Sequence, residues 1–130
     1  MQSDPRYLDV VAEVRDFVRE RADACLGAGI ARDSICIDPG IGFGKTHQHN
    51  VELLQNLRTF TELGYPLLIG VSRKGLIGIM TGRPPAERVV GSAVAAAFAV
   101  QAGASIIRAH DVAATVDAVK VAVALRGEVA

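Results

Sequence analysis

The sequence contains no tryptophan, two tyrosines and four phenylalanines. With half of its residues hydrophobic, its core must therefore be aliphatic and alanine-rich rather than aromatic. Cysteine is equally scarce. Cys25 and Cys36 are too few and too scattered for a disulfide framework or a zinc site, and they read as buried or half-buried thiols of a reducing compartment. An excess of either charge is missing too: 14 basic and 14 acidic residues cancel. No basic stripe marks a nucleic-acid partner, although a local anion site is compatible with this balance. No run approaches the roughly 18 apolar residues of a membrane-spanning helix, so no membrane partner is expected. The opening Met1-Gln-Ser-Asp-Pro-Arg6 lacks the charged-then-apolar pattern of a secretory leader. The expectation is a cytoplasmic chain whose 130 residues make about one domain.

What is present is alternation. Tyr7, Val10, Val11, Val14, Phe17, Val18 and Cys25 recur at helical spacing after Asp4-Pro5, and Gly27-Ala28-Gly29 closes that helix. Residues 35–38 form a first strand, followed by a glycine-rich loop to Thr46. A second helix over 50–63 carries Leu53, Leu54, Leu57 and Phe60, with Asn50 or Thr46 as its cap. Residues 67–71 are apolar throughout, as in a strand buried on both faces of a parallel sheet. A short helix over 76–80 and a longer one over 86–102 follow, the latter with Val90, Ala93, Val94, Ala97 and Phe98 as its core-facing stripe. Residues 104–108 are the third strand. The last helix, 113–126, places Val116, Val119 and Val123 on one side. Apolar strands alternating with amphipathic helices argue for βα units around a parallel sheet.

Each strand ends in residues that can do chemistry. The first delivers Asp38 into Pro39-Gly-Ile-Gly-Phe-Gly-Lys-Thr46, whose glycines allow close backbone approach to a ligand. The second delivers Ser72, Arg73 and Lys74; the third delivers Arg108 and His110. In parallel α/β folds these ends share one face, where ligands bind. Three cations suit a phosphate or pyrophosphate. A carboxylate suits a heterocycle offering paired donors. Blander readings exist for each: Asp38 capping its own loop, Ser72-Arg73-Lys74 as a solvated helix start, Arg108-Ala-His110 as a surface turn. His47 and His49 lack an assigned third ligand, so a metal reading is weak. Gly44-Lys45-Thr46 matches the end of a P-loop, but the required opening glycine falls on Pro39, and a dinucleotide fingerprint fails at Lys45.

Taken together, Asp38-Pro-Gly-Ile-Gly-Phe-Gly-Lys45, Gly70-Val-Ser-Arg-Lys74 and Arg108-Ala-His-Asp-Val112 resemble the dihydropteroate synthase family, and His49-Asn50-x-x-Leu53-Leu54 fits the same pattern. The resemblance covers essentially the whole chain. It implies a TIM (β/α)8 barrel, of which residues 1–130 are the C-terminal part of the pterin-binding domain with about three parallel strands. The activity implied is condensation of 6-hydroxymethyl-7,8-dihydropterin pyrophosphate with p-aminobenzoate to 7,8-dihydropteroate, releasing pyrophosphate, a folate-synthesis step targeted by sulfonamides. The resemblance assigns the catalytic roles to Lys74 and Asp38. Pterin binding falls to Asp38, Lys74, Gly70 and Phe43, pyrophosphate to Arg108 and His110, and p-aminobenzoate to Phe43, Ser72 and Arg73. Magnesium would use a ligand in the missing N-terminal half, together with the first five strands. The isolated chain is expected to be inactive or nearly so. With its sheet edges uncovered, it is expected to form a homo-oligomer or to pair with that missing half. A contact through residues 86–102 or 113–126 is expected. The alternative is a non-catalytic pterin- or pyrophosphate-binding paralogue.

Overall fold

A computed structural model describes residues 6–127. The expected helix start at Asp4-Pro5 lies outside the described residues. Helix α1 (Val10–Gly27) begins instead at Asp9, whose side chain accepts the Ala12 N–H while Glu13 accepts the Asp9 N–H. It ends as expected at the glycines. Gly29 takes φ +92, the Gly29 N–H bonds Leu26 O, and the Ile30 N–H bonds Cys25 O. These two bonds are a Schellman motif. A short 3-10 turn, Arg32–Ser34, absent from the sequence reading, leads into the sheet.

The sheet is smaller than the apolar runs predict. Strand β1 (Leu68–Ile69) pairs in parallel with β2 (Ile106–Ile107), in the register Leu68 to Ile106 and Ile69 to Ile107. Residues 35–38 contribute a single parallel bridge, Ile37 to Leu67, rather than a strand. The Ile37 N–H bonds Pro66 O and Ile37 O accepts the Leu68 N–H. Both main-chain groups of Ile37 therefore face β1, which lies between the other two segments. Leu67, Ile69 and Val71 are buried on the helix side. Leu68 is only half-buried and Ile106 is 40% exposed on the opposite side, so β1 is not covered on both faces. Cys36 is exposed there, against expectation, while Cys25 is half-buried.

The expected second helix is two. Helix α2 (His47–Gln55) starts earlier than expected, capped by Thr46, and α3 (Leu57–Thr61) follows a break at Asn56. The Asn56 side chain donates to Glu52 O, the local competition by which asparagine interrupts helices. Leu53, Leu54, Leu57 and Phe60 are buried as read, with Val10, Val14 and Val18 of α1 in the same core.

Helix α4 (Gly75–Thr81) is followed by a 3-10 turn at Pro85–Glu87, then α5 (Val89–Gln101) and α6 (Val112–Leu125). The phase of α5 differs from the sequence reading. Val90, Val94 and Phe98 are 73%, 63% and 53% exposed, whereas Ser92, Ala96, Ala99 and Val100 are buried. Small residues face inward because α5 approaches α4 closely: a Cβ at Gly91 would meet Ile77 Cγ2 at 2.7 Å. In α6, Thr115 and Ala122 are buried, Val119 and Val123 half-buried and Val116 exposed. Among the described residues no helix is long and apolar enough to cross a membrane.

Candidate functional site

The three parallel segments deliver their polar ends to one side of the sheet. Asp38 leaves the Ile37 bridge and immediately shapes its own loop, since Oδ1 accepts the Gly40 N–H at 2.8 Å. The other oxygen, Oδ2, stands 3.5 Å from Arg108 Nη1. One oxygen therefore caps the loop, and the other is turned toward Arg108. Arg108 follows β2, and its N–H bonds Ile69 O, which ties its backbone to β1. Its guanidinium lies over Gly70, where a Cβ would come within 2.5 Å of Nη2.

The glycine-rich loop is closed by its own lysine. Lys45 Nζ donates to Gly40 O at 2.9 Å and to Phe43 O at 2.8 Å. A lysine spent on loop carbonyls is not a phosphate-reaching P-loop lysine. Asn50, 5% exposed, accepts the Gly42 N–H at 2.8 Å and fastens the loop to α2. From the sequence Asn50 is part of the His49-Asn50 pattern and a candidate helix cap. Thr46 takes that role with His49 in a reciprocal capping box, Thr46 N–H donating to His49 Nδ1. That ring nitrogen is thus occupied, and no group of three or more potential metal ligands exists among the described residues.

Lys74 is the centre of the cluster. Its Nζ donates to Ile41 O and sits 4.5 Å from the centre of the Phe43 ring, a cation–π arrangement. Burial pushes the Lys74 ammonium below the ordinary lysine value, and Arg108 and Lys45 push the same way against the pull of Asp38. Lys45 is also lowered, by burial, with Asp38 opposing. A cleft of about 400 Å³ next to this centre is lined by Phe43, Lys45, His47, Asn50, Lys74 and Leu76, among others.

Ser72, Arg73 and His110 are placed differently from a set of free ligand contacts. The buried Ser72 Oγ accepts the His110 N–H at 3.1 Å and lies 2.8 Å from His110 Nδ1, so the hydroxyl orients the imidazole. Arg73 turns to Asp111 in a two-point pair, Nη2 to Oδ1 at 2.8 Å and Nε to Oδ2 at 3.2 Å. The sequence places Asp111 at the end of the third strand without a role; the structure makes it the partner of Arg73. The arrangement presents one carboxylate oxygen, one lysine of lowered basicity and one half-exposed guanidinium on a common open face. Such a face can accept paired N–H donors and hold an anion beside them.

A family profile described as pterin binding enzyme matches residues 1–110. The dihydropteroate synthase of Haemophilus influenzae is 50% identical over 121 residues, which are 93% of this chain and 44% of that protein. The crystal structure of dihydropteroate synthase from Stenotrophomonas maltophilia with imidazole in its active site superimposes with a TM-score of 0.94 at 51% identity, covering 100% of this chain and 49% of that one. The Xanthomonas albilineans enzyme in complex with 7,8-dihydropteroate gives 0.92 at 51% identity, over 96% and 48% of the two chains. It has also been solved with 4-aminobenzoic acid. The chain thus spans about half the length of the relatives it matches, and its sheet and helices are part of an α/β barrel.

Proposed function

Because the chain belongs to the pterin-binding enzyme family, we propose that it carries the C-terminal part of a dihydropteroate synthase site. The reaction is the joining of 6-hydroxymethyl-7,8-dihydropterin pyrophosphate to p-aminobenzoate. The carbon–oxygen bond to pyrophosphate breaks, the aromatic amine forms the new carbon–nitrogen bond and gives up a proton, and pyrophosphate leaves. The observation that carries this reading is the convergence of Asp38, Lys74 and Arg108, with Asp38 Oδ2 3.5 Å from Arg108 Nη1 and all three coupled electrostatically at Lys74.

In this proposal Asp38 accepts the amino and ring N–H groups of the pterin, and its charge favours the electron-poor ring that remains as pyrophosphate departs. Lys74 donates to the pterin in place of Ile41 O. Arg108 and His110 hold pyrophosphate, His110 aimed by Ser72. Gly70 lets Arg108 lie flat beside the pterin. Phe43 borders both substrates. Ser72 and Arg73 border p-aminobenzoate, Arg73 once it releases Asp111. Magnesium belongs to the proposal through a ligand in the N-terminal half of the barrel. The acids here do not build a magnesium site, because Asp38 is shared between Gly40 and Arg108 and Asp111 is taken by Arg73.

The chain by itself is proposed to bind pyrophosphate weakly, turn over little or nothing, and associate with itself or with an N-terminal half. Titration of the purified chain with pyrophosphate and with pterin pyrophosphate is expected to show millimolar binding that Arg108→Ala abolishes. Adding a chain bearing the first barrel strands and p-aminobenzoate is expected to start pyrophosphate release. Binding without any such rescue supports a non-catalytic pterin-binding paralogue. Absence of binding in the unsubstituted chain refutes the site.

A further inference from the structure

The turn that presents Lys74 is held by Ser92, Arg88 and Asp111. Arg73 has φ +58, the only non-glycine residue with positive φ among the described residues. A side chain with a Cβ resists that conformation, and it persists only where the surroundings over-determine it. Here the surroundings do so at three points. The Arg73 N–H donates to Ser92 Oγ at 2.9 Å, inside α5, where Ser92 is 4% exposed. Its guanidinium is paired with Asp111. Its carbonyl accepts Arg88 Nη1 at 2.9 Å.

Arg88 is fixed at its other end as well, since Nε donates to Arg83 O at 2.9 Å. Its guanidinium lies flat on α4 at Gly78, where an added Cβ would fall inside the guanidinium itself. A glycine in a helix interior is unfavourable relative to alanine, so its place at 78 is explained by the arginine it accommodates. The next residue after the clamped carbonyl is Lys74. It is the N-cap of α4, and its side chain passes Gly42 to reach Ile41 O and the Phe43 ring. Rotation at Arg73 would swing that side chain as a whole.

We propose that Arg88 is a positioning residue for Lys74: seated on Gly78 and holding the Arg73 carbonyl, it fixes the left-handed turn that aims the Lys74 ammonium at Ile41 and Phe43. Its consequence for ligands rests on the reading of Lys74 as a pterin-facing group, but the geometry is testable without any ligand. The experiment uses the full chain with reductively ¹³C-methylated lysines, Lys74 assigned by Lys74→Arg, and follows its titration and its contact with the Phe43 ring by NMR. Two variants displace the clamp by different routes. Arg88→Ala removes it. Gly78→Ala keeps the arginine, evicts its guanidinium and installs the better helix former, so helix stability is not the cause of any change.

In both variants Lys74 is expected to titrate higher, toward ordinary lysine, and to lose its contact with Phe43. Arg88→Lys, which lacks the planar fork whose Nε and Nη1 reach the Arg83 and Arg73 carbonyls, is not expected to restore either. Unchanged titration and unchanged Phe43 contact in Gly78→Ala overturn the proposal. If Arg88→Ala does not fold, Gly78→Ala decides alone. A chain that binds no pterin refutes the functional reading, while the Lys74 titration still decides the clamp.

Discussion

Replacing Gly70 with alanine tests the site with little disturbance to the fold. The backbone at Gly70 is not in the left-handed region, so alanine is conformationally acceptable there. The new Cβ would meet Arg108 Nη2 at 2.5 Å, and Cζ and Nε at 2.8 Å. Contacts that short force movement, and the part that moves is the flexible end of Arg108, whose side chain is 55% exposed. The folded state loses the partly exposed Arg108–Asp38 pair, worth about 0.2–1 kcal/mol. Against this, alanine restricts the unfolded chain relative to glycine and contributes about 0.4–1 kcal/mol. The two offset, and the melting temperature should move little.

Anion binding should respond quite differently. A hydrogen bond to a charged group contributes about 1.5–3 kcal/mol, so losing the guanidinium from its seat should weaken pyrophosphate binding by roughly 10- to 160-fold. The assay is a ³¹P NMR titration of pyrophosphate, with melting followed by circular dichroism on the same samples. Pyrophosphate alone is the proper ligand because a pterin could meet the new methyl group directly. Unchanged pyrophosphate affinity in Gly70→Ala would show that the observed seat of Arg108 has nothing to do with anion binding. A large loss of thermal stability would show that Arg108 is held too firmly to yield.

Three further outcomes follow from the same geometry. Asn50→Leu leaves the loop without the acceptor for the Gly42 N–H and should cost about 1–3 kcal/mol, seen as a lower midpoint in urea with an unchanged slope; an unchanged midpoint would mean the loop is held by its lysine alone. Val94→Glu combined with Phe98→Glu, both at exposed positions of α5, should leave the helical circular dichroism intact and shift light scattering toward the 13.7 kDa monomer; an unsubstituted chain already monomeric would refute association through this face. Hydrogen bonding and charge attraction from Arg73 hold the Asp111 carboxyl below its ordinary 3.8, with His110 assisting against desolvation. A depressed folded value means its contribution is present above 3.8 and fades as pH falls through the lower folded value; a carboxyl ¹³C titration should place it there, and Arg73→Gln should return it upward.

The sequence was most informative where a physical signal is local. Apolar runs ending in charge located the three strand ends, and the glycines after α1 and α5 marked where both helices stop. Gly103 repeats the α1 ending, with Ala104 N–H on Ala99 O and Gly103 N–H on Val100 O. Strand length was overread because a ladder needs a partner along its length. Residues 35–38 meet β1 through Ile37 alone. The α5 stripe was misphased for a different reason: Val-Val-Gly-Ser-Ala-Val-Ala-Ala-Ala-Phe-Ala-Val-Gln has no polar face, so periodicity carries almost no phase. There the close approach at Gly91 decides, and it selects small residues rather than large ones. The pairs that join distant segments were not legible at all. Ser72 with His110, and Arg73 with Asp111, are each 38 residues apart, and nothing local in either segment announces the other.

The glycines of the site show how far a correct motif can carry a wrong reason. The loop after Asp38 reads as a stretch whose missing side chains bring backbone N–H groups up to a ligand. The atoms nearest those missing side chains belong to the chain's own cations. At Gly42, φ +89, a Cβ would stand 3.0 Å from Lys74 Cδ, and at Gly70 it would strike the Arg108 guanidinium. The Gly42 N–H is turned to Asn50. Gly42 and Gly70 are thus each a mould for a long basic side chain arriving from another strand end. Such a side chain loses conformational freedom on being ordered, and a fitted groove confines it before any ligand arrives. That is the pre-organisation an anion site needs, since guanidinium and ammonium groups already in place do not have to be ordered by the ligand they bind. Alanine at 42 adds a strained φ to the clash, whereas alanine at 70 adds only the clash. The first should cost the fold and the site together, the second the site alone.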